Sequence, residues 1–406
     1  MTRRKYRIIF LNQMAGPLFR EMAEDLSTVW GPSLLHTGHK DTLKYVSSQY
    51  LTISQAPEYD RTNIPRRLIS WVKYFFSAFK ILWHQPSDSF LLIVSNPPFL
   101  GLIGMFFKVL RRQSYVMLVY DVYPDLLVNI GALKSRHIAR VWHSLNRLVY
   151  KHSRMVFTIG HDMAQRIKYN EKSSRKRKLQ MVCIPPWVDV ANILPIPKHR
   201  NQFALKHGLL NKTTVLYSGN MGYTHDIETI LEAAKGLRDE TDIMFVFIGE
   251  GAKWHLVEQT IKDNQLQNVL LLPFQPEDVL PFSMASGDIG VVAYAAGTEG
   301  CMIPSKTFYY MAAGAVPLIL SRTETDLTKI VDQEKCGIWV KSGDAEGLAE
   351  TILCLHRDPE RIDRLKRAAR KTAETDYSRK NTKRFEIMLR NLFSEDLGSC
   401  RYPMER

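Results

Sequence analysis

The sequence predicts an α/β protein built from two doubly wound, parallel-sheet domains. Short apolar runs of strand length alternate along the chain with amphipathic patterns of helix length, and this alternation is typical of βαβ units. A length of 406 residues is enough for two domains, each with its own core. Hydrophobic residues at 45% and charged residues at 24% exclude a disordered or fibrous chain.

The apolar runs fall into two groups on either side of a Pro-rich stretch at 183–198. Four predicted strands precede it, at Tyr6–Leu11, Phe90–Val94, Tyr115–Tyr120 and Met155–Ile159. Six follow it, at Thr214–Tyr217, Met244–Ile248, Val269–Leu272, Ile289–Ala293, Val316–Leu320 and Gly337–Val340. We therefore expect an N-terminal domain over 1–197 and a C-terminal domain over 198–376. The two should face each other across a cleft, with ligands at the carboxyl ends of the strands.

Two segments complete the fold prediction. Ser89–Phe107 carries no charged residue, but Asn96-Pro97-Pro98 interrupts it, so a buried strand, a turn and a short helix are favoured over a membrane span. Tyr377–Phe393 has the apolar spacing of one amphipathic helix. We expect the closing segment 377–406 to pack back on the N-terminal domain.

Cysteine usage and the start of the chain indicate a cytoplasmic protein. The five cysteines form no Cys-x-x-Cys pair and have no histidine array beside them, so neither a zinc site nor a disulfide framework is predicted. The opening residues run directly into an apolar strand, without the pattern of a cleavable signal peptide.

The positive charge is concentrated in the N-terminal half. Residues 1–200 hold 30 Lys or Arg against 12 Asp or Glu, whereas residues 201–406 hold 25 against 29. This asymmetry predicts a polyanionic partner for the first half, either an anionic membrane or a nucleic acid. No zinc finger, RNP or helix-turn-helix motif supports the nucleic acid.

The segment Arg66–Trp83 is the first candidate for membrane contact. It has helix length and interleaves cations with aromatic residues, including Trp71 and Trp83, which is typical of a helix in a membrane interface. A core helix with a basic outer face has the same periodicity. The basic run Arg175, Lys176, Arg177 and Lys178 favours docking at an anionic surface.

Glycine-rich loops at the ends of C-terminal strands indicate phosphate binding. A predicted strand runs into Ser218-Gly219-Asn220-Met221-Gly222 before a helix, and such a turn exposes backbone N–H groups. A tight turn without any ligand has the same local pattern. Farther along, Ser305 is suited to cap a helix that has Lys306 in its first turn. A cation there opposes the helix dipole unless an anion binds, so we expect either a phosphate ligand or a solvated surface lysine.

These motifs together resemble family 4 retaining glycosyltransferases of the GT-B fold, in their bacterial capsule, O-antigen and exopolysaccharide branch. The resemblance is carried by VSNPPFLGLIGMFFKVL, VYDVYPDLLVNIGAL, CIPPWVDV, YSGNMGYTHDIETILEAA, FVFIGEG and IPSKTFYYMAAGAVPLIL, which span nearly the whole chain. It implies a nucleotide-sugar donor of UDP or GDP type on the C-terminal domain and an acceptor on the N-terminal domain. It also implies retention of anomeric configuration and no metal or cofactor.

The resemblance also implies site residues. The donor pyrophosphate should lie against Gly16, Gly219 and the start of the Ser305 helix, with further donor contacts at Gly249, Glu250, Phe274 and Pro304. The family's two glutamates fall on Cys301 and Tyr309, so Glu299 is expected to serve the sugar and Tyr309 the ribose. The family's Arg and Lys pair falls near Asn220 and His225, which leaves Lys306 as the nearest cation, assisted by His225 if that histidine is protonated.

Asp121 is the candidate catalytic residue of the N-terminal domain, because it follows a strand at its carboxyl end and can orient an acceptor hydroxyl. The predicted function is transfer of a sugar to a lipid-linked (polyprenyl diphosphate) saccharide, by an enzyme at the inner face of the plasma membrane. Two alternatives stay open: an epimerase-like enzyme acting on sugar nucleotides, and a non-catalytic homologue that acts as an assembly partner.

Overall fold

The computed structural model describes residues 6–40, 42–60, 64–170 and 179–397. The chain divides into two compact units. Unit 1 takes the described residues of Met1–Tyr123, Ser135–Pro185 and Arg379–Arg406, and unit 2 takes Pro124–Lys134 and Pro186–Ser378. The boundary between the units lies between Pro185 and Pro186, before the predicted boundary at residue 197. The short segment Pro124–Lys134 also belongs to unit 2.

Unit 1 is built on a parallel sheet that has seven strands within the described residues, in the order β3-β2-β1-β4-β5-β6-β7. The strands are β1 (Ile8–Leu11), β2 (Ser33–Thr37), β3 (Leu51–Gln55), β4 (Phe90–Val94), β5 (Tyr115–Val119), β6 (Val156–Thr158) and β7 (Met181–Cys183). The helices of unit 1 are α1 (Pro17–Trp30), α2 (Thr42–Tyr45), α3 (Ile64–Trp83), α4 (Gly101–Arg111), α6 (Arg136–His152), α7 (His161–Asn170) and α16 (Thr382–Leu397). The short helix α5 (Asp125–Asn129) belongs to unit 2.

Unit 2 is built on a six-stranded parallel sheet with the order β10-β9-β8-β11-β12-β13 among the described strands. They are β8 (Thr213–Ser218), β9 (Ile243–Ile248), β10 (Val269–Leu272), β11 (Ile289–Ala293), β12 (Val316–Ser321) and β13 (Ile338–Lys341). The remaining helices are α8 (Gln202–Lys206), α9 (Ile227–Gly236), α10 (Trp254–Asp263), α11 (Leu280–Ala285), α12 (Lys306–Ala313), α13 (Asp326–Gln333), α14 (Ala345–His356) and α15 (Pro359–Asp376).

The topology of unit 2 sets the position of a ligand site. The chain moves outward from β8 through β9 to β10 and then returns to β11 on the other side of β8. Beyond this switch point the loops after β8 and β11 diverge, which leaves a crevice at the carboxyl ends of these two strands. The sheet is rigidly backed, because buried apolar side chains cover both of its faces.

A partly buried ionic cluster lies within unit 2. The Asp288 carboxylate accepts hydrogen bonds from the ammonium groups of Lys198 and Lys366 and, at 2.8 Å, from the backbone N–H of Thr214. Burial alone would raise the pKa of Asp288, but the two ammonium groups lower it below its usual value. The cluster attaches the start of unit 2 to helix α15.

The C-terminal helix packs on unit 1, as the sequence predicts. The Arg379 guanidinium donates to the Asp25 carboxylate of α1 at 2.7 Å, and the Thr382 hydroxyl donates to the same carboxylate at 2.8 Å. The ring of Phe385 packs against Phe157 with centroids 5.0 Å apart. The α/β class with two parallel sheets is likewise confirmed.

All ten predicted strands are present, and the structure adds β2, β3 and β7. The uncharged segment 89–107 forms strand β4 and the start of helix α4, as its Pro-Pro interruption indicates. Over the residues that the structure describes, no helix is long and apolar enough to cross a membrane.

Candidate functional site: the glycine loops and the Asp121 pocket

Two glycine loops interlock at the carboxyl ends of β8 and β9. The backbone N–H of Gly219 donates to the carbonyl of Ile248 at 2.8 Å, and Gly219 has a positive φ of 132°. A Cβ added to Gly249, where φ is 145°, would lie only 1.9 Å from the carbonyl oxygen of Gly219. Only glycine fits at position 249, and the two loops therefore touch backbone to backbone.

The next residues of the two loops are also joined. The backbone N–H of Met221 donates to the carbonyl of Glu250 at 2.7 Å, and the Tyr217 hydroxyl donates to the carbonyl of Asn220 at 2.8 Å. The side chains of Asn220 and Glu250 are exposed. Phe274, which follows β10, is also exposed. Backbone hydrogen bonds thus hold the two loops together, and the predicted side chains of Asn220 and Glu250 are exposed to solvent.

Lys306 lies directly beside the first loop. Its ammonium nitrogen is 3.6 Å from the centroid of the Tyr217 ring, and a Cβ added to Gly219 would be 3.2 Å from it. This nitrogen is buried and has no hydrogen-bond partner among the described residues, although the residue as a whole is partly exposed. Burial lowers the pKa of Lys306 to about 7. Lys306 is therefore not a solvated surface lysine.

Helix α12 holds Lys306 in place through a contact that the sequence analysis missed. The hydroxyl of Tyr310, one turn into the helix, accepts a hydrogen bond of 2.7 Å from the backbone N–H of Ser218 at the end of β8. Gly290 on β11 leaves room for this ring, because a Cβ there would lie 2.3 Å from it. The glycine in the middle of a buried strand was the available signal.

The start of α12 differs from the prediction in one respect. Ser305 occupies the N-cap position, but its backbone is already helical and its hydroxyl makes no capping hydrogen bond. The buried Pro304 instead accepts the backbone N–H of Thr307 at 3.2 Å. The predicted side-chain cap is wrong, because a helical φ and ψ turn the hydroxyl away from the first N–H groups.

His225 cannot assist as a cation. It is buried, and its Nδ1 lies 3.0 Å from the carbonyl oxygen of Ala293. Burial, followed by the charge of Lys306, lowers the pKa of His225 to about 3. The ring is therefore neutral at physiological pH, with Nδ1–H donating to the carbonyl, so the assistance expected from a protonated His225 is ruled out.

Glu299 and Tyr309, the residues expected to replace the glutamate pair, precede and follow Lys306 in the sequence. Glu299 is buried, and its carboxylate accepts the backbone N–H of Arg322 at 2.9 Å. Tyr309 is partly buried on α12, while Cys301 is fully buried. All of these residues belong to unit 2.

The loop that contains Glu299 is held by a segment from the first half of the chain. Asn129 of α5 donates through Nδ2 to the carbonyl of Gly297 at 2.5 Å and to the Sγ of Cys301 at 3.7 Å. Gly297 has a positive φ of 81°. This contact could not be predicted from the sequence, since nothing local to Asn129 indicates a partner so distant along the chain.

Asp121 lies in unit 1, in a pocket at the carboxyl end of β5. The pocket is also lined by Ser95, whose hydroxyl accepts the backbone N–H of Asp121 at 3.2 Å, and by Asn146. Burial raises the pKa of Asp121 to about 6, so the carboxylate is ionised at neutral pH and protonates under mild acid. A carboxylate in a pocket of this kind can orient a hydroxyl group.

Aromatic rings form one wall of the Asp121 pocket. The ring of Trp142 lies 4.3 Å from that of Phe99 and stacks on that of Tyr123 with centroids 6.0 Å apart. None of these three residues was predicted from the sequence as a site residue. They come from separate elements, and only the tertiary structure brings them together.

The other predicted residues of unit 1 lie apart from this pocket. Gly16 is the N-cap of α1 and borders open space. Trp71 is partly buried and stacks on Tyr59 with centroids 6.4 Å apart, whereas Trp83 is exposed. The basic residues Arg175, Lys176, Arg177 and Lys178 lie outside the described residues. In the described part of the chain, no group of three His, Cys, Asp or Glu side chains is placed to hold a metal ion.

The chain is similar to known glycosyltransferases. Residues 212–358, which include the glycine loops and Lys306, match the family described as glycosyl transferases group 1. The Pseudomonas aeruginosa protein named "Probable glycosyltransferase WbjE" is 28% identical over 303 residues, covering 73% of this chain and 74% of that protein. The match to the group 1 glycosyltransferases is thus carried by residues 212–358, and the resemblance that the motifs indicate is confirmed.

Solved structures show that this glycosyltransferase has the GT-B fold. The crystal structure of Anabaena HepE in complex with UDP-glucose superimposes with a TM-score of 0.72 at 13% identity, covering 95% of this chain and 99% of that one. Sucrose-phosphate synthase from Thermosynechococcus elongatus superimposes with a TM-score of 0.75 at 17% identity, covering 97% and 100%. The predicted fold class is confirmed.

Proposed function

We propose that this glycosyltransferase is a retaining, metal-independent enzyme of family 4. It transfers a sugar from a UDP- or GDP-type nucleotide sugar to a lipid-linked saccharide on polyprenyl diphosphate, in the synthesis of a bacterial surface polysaccharide such as a capsule or exopolysaccharide. The observation that carries this proposal is the buried Lys306 ammonium group, which lacks a hydrogen-bond partner among the described residues at the switch point of unit 2.

The names of relatives support the polysaccharide pathway. WcaI of Escherichia coli (strain K12), named for colanic acid biosynthesis, is 27% identical over 225 residues, covering 53% of this chain and 53% of that protein. HepE binds UDP and UDP-glucose in its crystal structures. These relatives favour a nucleotide diphosphate sugar as the donor.

The donor diphosphate would supply what the Lys306 site lacks. A buried ammonium group without a hydrogen bond is unfavourable, and a phosphate oxygen would give it a strong charge-assisted bond. The dipole at the N-terminus of α12 favours the same negative charge. We assign Glu299 to the hydroxyl groups of the donor sugar and the Tyr309 hydroxyl to the ribose.

Transfer would proceed as a displacement on one face of the anomeric carbon. The bond from the anomeric carbon to the diphosphate oxygen breaks, and the acceptor oxygen attacks from the same side, so the configuration is retained. A diphosphate oxygen takes the proton of the acceptor hydroxyl. Lys306 and the helix N-terminus stabilise the charge that develops on the leaving diphosphate, and positioning supplies the rest of the acceleration.

The Asp121 pocket suits the saccharide end of the acceptor. The rings of Trp142 and Phe99, tilted against each other, offer an apolar wall for a sugar ring, and Asp121 can hold the hydroxyl group that attacks. The acceptor's lipid places the enzyme at the inner face of the plasma membrane. Trp71 and Trp83 of α3 and the basic residues at 175–178 would contact that anionic surface, and no nucleic acid is involved.

A ligand screen followed by a turnover assay tests the proposal. UDP-glucose, GDP-mannose and other nucleotide sugars are added during thermal unfolding, where a donor at 100 times its dissociation constant adds about 2.7 kcal/mol. The stabilising donor is then incubated with bacterial lipid extract, with and without EDTA, and the new linkage is assigned by NMR.

The outcomes separate the alternatives. Transfer that survives EDTA and keeps the donor's anomeric configuration is expected. Conversion of the donor sugar without any acceptor would identify an epimerase-like enzyme. Binding without turnover in any extract would identify a non-catalytic homologue.

A further inference from the structure

Three helices of unit 1 form one layer on the same side of the sheet. The chain crosses from β3 to β4 through α3, from β4 to β5 through α4, and from β5 to β6 through α6, always in the same direction along the sheet. The right-handed rule for parallel crossovers places all three helices on one face and α1, whose connection runs the opposite way, on the other.

Close contacts confirm that the layer is continuous. The ring of Phe79 on α3 packs 5.2 Å from that of Phe106 on α4. A Cβ added to Gly101 at the start of α4 would lie 2.5 Å from the Cγ1 of Val149 on α6, so these two helices approach closely. The outward surfaces of the three helices are therefore neighbours.

This outward surface is unusually apolar. Val109 is 71% exposed, Phe76 67% and Val141 60%, which places one highly exposed apolar side chain on each helix. The full set is Leu68, Ile69, Val72, Phe76 and Trp83 on α3, Phe106, Val109 and Leu110 on α4, and Ile138, Val141 and Leu148 on α6. Apolar side chains scattered singly need no explanation, but a cluster across adjoining helices indicates a binding surface.

The charge of the layer indicates the partner. Helices α3, α4 and α6 contain ten Lys or Arg and no Asp or Glu. Helix α1 on the opposite face contains one Arg and three acidic residues. Cations that frame exposed aliphatic side chains fit anionic headgroups above an acyl layer. A nucleic acid would leave the aliphatic side chains in water.

We propose that the outward surface of α3, α4 and α6, the three-helix face, docks on an anionic phospholipid bilayer, with α4 and α6 inserting beside α3. The proposal rests on the proposed lipid-linked acceptor and deepens it by naming the surface that meets the lipid. Val109, Leu110 and Val141 enter the acyl boundary, while Lys73, Lys80 and Lys108 reach the headgroups.

Vesicle sedimentation of the full chain tests the three-helix face. The wild-type protein is mixed with vesicles of phosphatidylcholine alone, or of phosphatidylcholine with phosphatidylglycerol. We expect binding to the anionic vesicles that falls with added salt. The double variant V109S/L110S should bind about tenfold more weakly, because two exposed apolar side chains no longer insert. V141S should weaken binding in the same direction.

A matched control is available on the opposite face. Ile387 on α16 is 52% exposed, and I387S should bind vesicles like the wild type. Because all four substituted residues are exposed, the variants should unfold at the wild-type temperature. They should also keep the stabilisation by UDP-glucose or GDP-mannose, since the glycine loops at Gly219 and Gly249 lie in unit 2.

Several results would overturn the proposal. The three-helix face does not dock on lipid if the wild-type protein binds neither kind of vesicle. The same conclusion follows if V109S/L110S binds the anionic vesicles as well as I387S does. A wild-type dimer in light scattering that V109S/L110S dissociates, without vesicle binding, would assign the face to a second copy of the chain. Failure of every nucleotide sugar to bind would instead refute the proposed function and leave the vesicle result standing.

Discussion

Donor binding should take up a proton, and Lys306 is the reason. In the free protein its ammonium group contacts the Tyr217 ring without a hydrogen bond among the described residues, and burial lowers the pKa of Lys306 from 10.5 to about 7. A bound diphosphate stabilises the charged form and so raises that pKa again. Binding is therefore linked to protonation of Lys306 near neutral pH.

The size of the effect follows from the pKa of Lys306. At pH 7 about half of the free protein carries a neutral Lys306, and at pH 8 about nine tenths does. Binding should therefore take up about 0.5 proton at pH 7 and about 0.9 at pH 8. Each pH unit above about 7.5 then costs about 1.4 kcal/mol, or tenfold in donor affinity, until the pKa of the bound state is reached.

Calorimetry in buffers of different ionisation enthalpy measures this uptake directly, from pH 6 to 9, with whichever of UDP-glucose or GDP-mannose stabilises the chain. Lys306→Met should weaken binding at pH 6 by about 1.5–3 kcal/mol and abolish the proton uptake. Lys235→Met, which changes a surface lysine of α9 paired with Glu232, is the control and should change neither. An uptake near zero at pH 8 in the wild type would refute the reasoning, because Lys306 would then be charged already or distant from the donor.

Three further predictions concern other parts of the two units. Asp121→Asn should lower turnover while donor affinity persists, and wild-type turnover should fall as the pH drops through about 6, where Asp121 protonates; full activity of the variant would remove Asp121 from the acceptor site. Gly249→Ala should abolish donor binding in calorimetry, because its Cβ would lie 1.9 Å from the Gly219 carbonyl; wild-type affinity would show that the loops can separate without loss. Asp288→Ala removes the carboxylate that pairs with the partly buried ammonium groups of Lys198 and Lys366, and should lower the free energy of unfolding in urea by as much as about 3–5 kcal/mol, a loss absent if the cluster is solvated.

The strands of unit 2 could be predicted from the sequence because each is a continuous apolar run, as expected for a parallel sheet covered on both faces. Strand β2 could not. It places His36 in the buried sheet, where the ring nitrogens lie 3.0 Å from the hydroxyl groups of Ser54 and Ser77. The partners of His36 are distant along the chain, so the local pattern does not indicate a buried strand.

In the candidate site, too, some residues could be predicted from the sequence and others could not. Gly219 and Gly249 could be predicted, since a glycine turn after an apolar strand has a local physical meaning. The aromatic wall at Trp142 could not, because its rings come from elements far apart in the sequence. Lys306 could be predicted in part. Its position in the first turn of a helix follows from the sequence, but its burial depends on the hydrogen bond by which Tyr310 fixes α12 to β8.

The start of α12 departs from the usual pattern of a helix N-terminus in two ways. Its N-cap serine makes no side-chain cap, and its first turn carries Lys306, a cation that opposes the helix dipole. The ammonium group of Lys306 is also buried without a hydrogen bond among the described residues, while the neighbouring His225 is neutral. A diphosphate bound against Lys306 would pair with the ammonium group and would lie at the positive end of the helix dipole. Departures that one ligand offsets are expected at a binding site rather than at a purely structural turn.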